Sequence, residues 1–117
     1  MKQKILVIDD TFETRNHIKE KLEASGYSII TAVDGVDALK VLKNNPQIDL
    51  ILTDYRMPSL GGEDLLDLLS HHYPNIKKIV VSGYPFIEQK LPQGLPLIPK
   101  PIDWELALQL IKKTLKA

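Results

Sequence analysis

Five short apolar runs, Ile5 to Ile8, Ser28 to Ala32, Leu50 to Thr53, Ile76 to Val81 and Leu95 to Ile98, recur along the chain. The first, third and fourth are rich in Ile, Val and Leu, as strands covered on both faces of a parallel sheet must be. Helical periodicity fills the intervals. Phe12 to Ser25 carries Ile18 and Leu22 and stops at Gly26, a residue suited to the left-handed position after a helix. Val36 to Lys43 presents Ala38, Leu39, Val41 and Leu42 before Asn45-Pro46. Glu63 to His71 carries Leu65, Leu66, Leu68 and Leu69 between a Gly61-Gly62 turn and Pro74, and Trp104 to Leu115 follows Asp103, an N-cap residue.

Strands alternating with helices at this spacing predict right-handed crossovers and an α/β fold, a doubly wound five-stranded parallel sheet with helices on both faces. Pro96 and Pro99 flank the fifth run, and a strand lacking ladder donors belongs at an edge. That favours the flavodoxin-like order 2-1-3-4-5. With 117 residues, no internal repeat and no linker, residues 1–117 are expected to form one domain.

Composition narrows the function. Fifteen basic residues balance fifteen acidic ones, which gives no electrostatic case for nucleic acid or for an anionic membrane. No apolar run approaches the roughly 20 residues of a membrane span or follows the basic start as a signal peptide requires. The absence of cysteine excludes disulfides and thiolate metal sites, and a cytoplasmic location is expected.

In a parallel sheet all strands end at one edge, so the residues just after each run meet in space. Here they are Asp9 and Asp10, Asp54, Ser82 and Lys100. Strands one and three are expected to be neighbours at the point where the winding reverses, the place where such sheets bind ligands. Two ionised carboxylates about 5 Å apart repel by roughly 3 kcal/mol at an effective dielectric near 20. Either one acid is protonated or a cation sits among them, and an open cluster of oxygen ligands suits Mg²⁺. Lys100 and the Ser82 hydroxyl could hold the oxygens of a phosphoryl group in transit to a carboxylate, with Asp54 as the candidate nucleophile. Taken singly, Asp9-Asp10 reads as turn chemistry, Ser82 as a turn former and Lys100 as a solvated surface group. Their common register at strand ends is what points to a site.

The chain resembles the receiver domains of two-component response regulators, of the single-domain chemotaxis type. The resemblance rests on ILVIDD ending at Asp10, DGVDAL from Asp34 to Leu39, LILTDYRMP with Asp54, VVSG with Ser82 and PKP with Lys100. It implies that Asp54 accepts a phosphoryl group from a histidine kinase or histidine phosphotransfer protein and signals to a downstream protein target by conformational change. It implies Mg²⁺ held by Asp10, Asp54 and the Arg56 carbonyl, with Asp9 acting through water. Ser82 and Lys100 would bind the acquired phosphate, and the Lys100–Pro101 peptide would be cis. It further suggests a homodimer through the face of helix four, strand five and helix five. Such a domain is no enzyme beyond catalysing its own phosphorylation and dephosphorylation.

The sequence departs from the family pattern at Leu97, where receivers carry an aromatic switch residue three positions before the lysine. The stretch from Ser82 to Lys100 is short and holds Pro85, Pro92, Gly94 and Pro96, so the fourth helix is expected to be short or irregular. The SGY opening and the LPQGLPLIPKP ending look more like receivers fused to hybrid sensor kinases. Two alternatives stand beside the phosphoacceptor: a receiver-like binding module without phosphorylation, and an aspartate-nucleophile phosphatase, which wants a second acid where Arg56 stands. Arg56 and Tyr84 would flank the acceptor, His71 and His72 read as a solvated pair at a helix end, and Leu106 and Leu110 lie beside the core stripe of the last helix.

Overall fold

The computed structural model describes residues 2–57, 59–84 and 87–116. Each apolar run becomes a strand: β1 Lys4–Ile8, β2 Ser28–Ala32, β3 Leu50–Asp54, β4 Lys77–Ser82 and β5 Leu97–Pro99. They form one parallel sheet in the order β2-β1-β3-β4-β5. The helices are α1 Phe12–Ala24, α2 Gly35–Asn44, α3 Gly62–His72 and α4 Trp104–Lys116. Between β4 and β5 the described residues form only a 3-10 turn, Ile87–Gln89, as the prolines of that stretch foretell.

Two strands start later than their apolar runs, for a local reason. The Ile76 N–H donates to the Tyr73 carbonyl at 3.3 Å and the Leu95 N–H to the Pro92 carbonyl at 3.2 Å, so both residues close turns before the ladder begins. Pro96 then accepts from the Val80 N–H at 3.0 Å, and the Lys100 N–H donates to Ser82 at 3.0 Å. Alternation between those two inward-facing residues leaves Leu97 and Pro99 with their nitrogens on the open side of the edge strand, where the donor that proline lacks is not needed.

Alternate residues of each strand feed two cores. Ile5, Val7, Leu50, Leu52, Ile79 and Val81 pack with Ile18, Leu22, Ala107 and Ile111 of α1 and α4. Leu6, Ile8 and Ile51 pack on the other face with Ala38, Leu42, Leu65 and Leu69 of α2 and α3. Each fully buried aliphatic side chain contributes about 1.5–3 kcal/mol relative to exposure. Gly26, at φ +97°, takes the left-handed position that releases the chain from α1 into β2. Gly35 opens α2 where its N–H donates to the Leu60 carbonyl at 3.0 Å, and a Cβ there would collide with that carbonyl and the Leu60 side chain.

All four helices start at the edge where the strands end, and their charges follow their dipoles. First turns carry Glu13, Asp37, Glu63 with Asp64, and Glu105, whereas last turns carry Lys21, Lys43, His71 with His72, and Lys113 with Lys116. Lys77 and Lys78 open β4 at that second edge. In a chain with no formal net charge, acids therefore predominate at the edge where strands end, and basic residues at the other, where Asp49 and Glu23 also stand. Among the described residues no helix is long and apolar enough to cross a membrane.

Candidate functional site

The acidic edge is assembled by strand register. Ile8 pairs with Thr53, so the residues that follow, Asp9 and Asp54, stand side by side where β1 and β3 end. The Asp9 N–H donates to the Ala32 carbonyl at 3.2 Å, extending the β1–β2 ladder by one residue. Asp9 itself is buried, and a buried charge requires partners. Its Oδ1 accepts from the Thr11 N–H at 2.9 Å, and its Oδ2 lies 3.4 Å from the Lys100 ammonium. The Arg15 guanidinium donates to the Asp9 carbonyl at 2.8 Å, tying α1 to the same loop.

Lys100 reaches both acids. Its ammonium stands 3.6 Å from Asp54 Oδ2, and its own N–H is held by the Ser82 carbonyl. The Lys100–Pro101 peptide is cis, as the resemblance implies. Ser82 is buried at the end of β4 and its Oγ accepts from the Tyr84 N–H at 3.0 Å. Its hydroxyl proton is thereby left to be donated to another acceptor.

Asp54 is half-buried, and burial pushes its carboxyl above the usual carboxylate range. The Lys100 ammonium opposes that shift, while the charges of Asp9 and Asp10 add to it. Asp9, Asp10 and Asp54 each offer a carboxylate oxygen, all within 4.8 Å of one another. Three hard oxygen donors on the surface of a crevice fit a small divalent cation that keeps several waters, which is the chemistry of Mg²⁺. The two lone-pair positions that Asp9 already spends on Thr11 and Lys100 leave the exposed Asp10 and the half-buried Asp54 as the freer ligands.

The structure thus brings together Asp9, Asp10, Asp54, Ser82 and Lys100. Arg56 lies two residues past Asp54, and its side chain turns over the Tyr84 ring, 4.1 Å from the centroid. The Lys90 ammonium also stands 5.1 Å from that ring. This contact and the Arg15 bond escaped the sequence reading because both depend on loop paths, which leave no periodic signal. Leu97 stands half-buried on β5.

A sequence model described as the response regulator receiver domain matches residues 5–111. The chain belongs to that family. This receiver is 31% identical to the chemotaxis protein CheY of Treponema pallidum, over 97% of this chain and 83% of that protein. It is 29% identical to the sensor kinase CckA of Brucella abortus over 96% of this chain, which spans only 12% of that kinase. Among solved structures, a CheY-like receiver domain protein of Methanospirillum hungatei superposes with a TM-score of 0.89 at 30% identity, over 99% of this chain and 95% of that one. Family membership makes the receiver a phosphoacceptor signalling domain of the two-component phosphorelay type.

Proposed function

We propose that residues 1–117 act as one receiver domain in which Asp54 accepts a phosphoryl group from a phosphohistidine on a kinase or phosphotransfer protein. An Asp54 carboxylate oxygen forms the new bond to phosphorus, the bond from phosphorus to the imidazole nitrogen breaks, and the imidazole recovers a proton. The observation that supports this most directly is the meeting of three carboxylates within 4.8 Å, with one ammonium 3.4 and 3.6 Å from two of them.

Asp9, Asp10, Asp54 and the Arg56 carbonyl would hold Mg²⁺. When bound, the ion supplies positive charge against the phosphoryl oxygens and lets the acids stay ionised together. Lys100 shields the developing charge from the other side of Asp54, and Ser82 donates its free hydroxyl proton to a phosphoryl oxygen. The dianion gained by Asp54 competes with Asp9 for the Lys100 ammonium and draws on Ser82, whose Oγ also anchors the Tyr84 N–H. Through that bond the loop after β4 follows the state of Asp54 and presents it to a downstream protein. In this reading the domain catalyses only its own phosphorylation and hydrolysis, in the cytoplasm. An aspartate phosphatase would use an acid at position 56, where this chain has Arg.

The test is intact-mass measurement after incubation with Mg²⁺ and acetyl phosphate. The protein gains one phosphoryl mass, and Asp54→Asn gains none. An unmodified native protein, or an equally modified variant, would refute the assignment.

A further inference from the structure

Asp10 is the least restrained of the three clustered acids. It is exposed, and among the described residues its carboxylate takes part in no hydrogen bond or ion pair. Where that carboxylate points is therefore set by the backbone of residues 9–11. The Asp9 N–H donates to the Ala32 carbonyl at 3.2 Å and the Thr11 N–H to Asp9 Oδ1 at 2.9 Å. The other two bonds on this turn come from Arg15, whose N–H reaches the Thr11 carbonyl at 2.9 Å and whose guanidinium reaches the Asp9 carbonyl at 2.8 Å. That last bond falls on the peptide plane joining the two acids. A planar peptide moves as one unit, so a guanidinium fixed on the Asp9 oxygen also fixes the Asp10 nitrogen and Cα. Arg15 is half-buried, with its guanidinium carbon 5.6 Å from the Phe12 ring centroid, and it pairs with none of the acids among the described residues.

We infer that Arg15 is a positioning residue for the divalent cation, a role that rests on the Mg²⁺ reading of the acidic cluster proposed above. It holds the Asp9–Asp10 peptide so that the Asp10 carboxylate stays within 4.8 Å of those of Asp9 and Asp54. Charge alone predicts the opposite effect. A guanidinium near an acidic cluster repels Mg²⁺, so deleting it without moving the backbone tightens binding. Lost positioning weakens binding, because groups that orient a metal ligand are commonly worth roughly 10- to 100-fold in affinity. The sign of the change therefore separates the two roles.

The test measures Mg²⁺ affinity of the full, unphosphorylated chain by isothermal titration calorimetry. Arg15→Met, which keeps an aliphatic stem, is expected to bind Mg²⁺ roughly tenfold more weakly than the native chain. Arg15→Lys keeps the charge but not the planar fork, and falls between the two. Ile18→Val, which loosens the packing of α1 in the core, binds as the native chain does. With acetyl phosphate, Arg15→Met needs about ten times more Mg²⁺ for half-maximal phosphorylation, yet reaches a near-native rate at saturation. Affinity in Arg15→Met equal to or above the native value overturns the proposal, as does an equal loss in Ile18→Val or a rate that stays low in saturating Mg²⁺. A native chain that binds no Mg²⁺ sinks the metal reading and this role with it, whereas native binding that Arg15→Met leaves intact removes Arg15 alone.

Discussion

A carboxylate proposed to attack phosphorus must keep its lone pairs available, and for Asp54 that carries a cost in folding. Its pKa is raised, chiefly by burial, so the native state binds its proton more tightly than the unfolded chain does. The sign follows directly: between the unfolded pKa near 4 and the raised native value, stability falls as pH increases, and above that window the penalty is fully present. Asp54→Asn is therefore expected to raise the neutral-pH Tm by about 3–8 °C without added metal. The same substitution removes that fall in stability across the window, both effects read by circular dichroism. Mg²⁺ held as proposed would act on the same charges. At tenfold excess over its dissociation constant it is expected to add about 1.4 kcal/mol, and Asp10→Asn loses most of that gain in a thermal-shift titration. The five residues of this cluster were legible in sequence because strand ends share one edge. The Arg56, Tyr84 and Lys90 contact was not, because side chains from the segments after β3 and after β4 meet there without any repeating pattern.

At the scale of elements, the junction between α2 and the loop after β3 is fixed by Gly35. Gly35→Ala puts a methyl group into the Leu60 carbonyl and side chain and displaces the hydrogen bond between them. Overpacking of that kind costs about 1–3 kcal/mol, measurable by urea denaturation, and Leu60→Ala alone does not restore stability because the carbonyl clash persists. Helices and strands were readable within one or two residues because their periods of 3.6 and 2 are set by backbone geometry. Boundaries slipped at Ile76 and Leu95, where a turn bond captured an apolar residue. The edge position of β5 was announced by Pro99, whose missing donor faces outward. The short segment replacing a fourth helix was announced by three prolines and a glycine.

For the whole molecule, one sheet serves two cores, so neither face can melt alone. Leu52→Ala, in the core under α1 and α4, and Ile51→Ala, in the core under α2 and α3, are each expected to cost about 2–5 kcal/mol. Both variants should unfold in a single transition by near- and far-ultraviolet circular dichroism, since the strands that carry one layer also carry the other. Net charge, read from composition, concealed how the charges are distributed. Helices that all run the same way place acids in their first turns at one rim and lysines or histidines in their last turns at the other. Electrically the nearly equidimensional molecule has two poles and no net charge. Resins of either sign can therefore retain it at low salt, each gripping the end that the other repels.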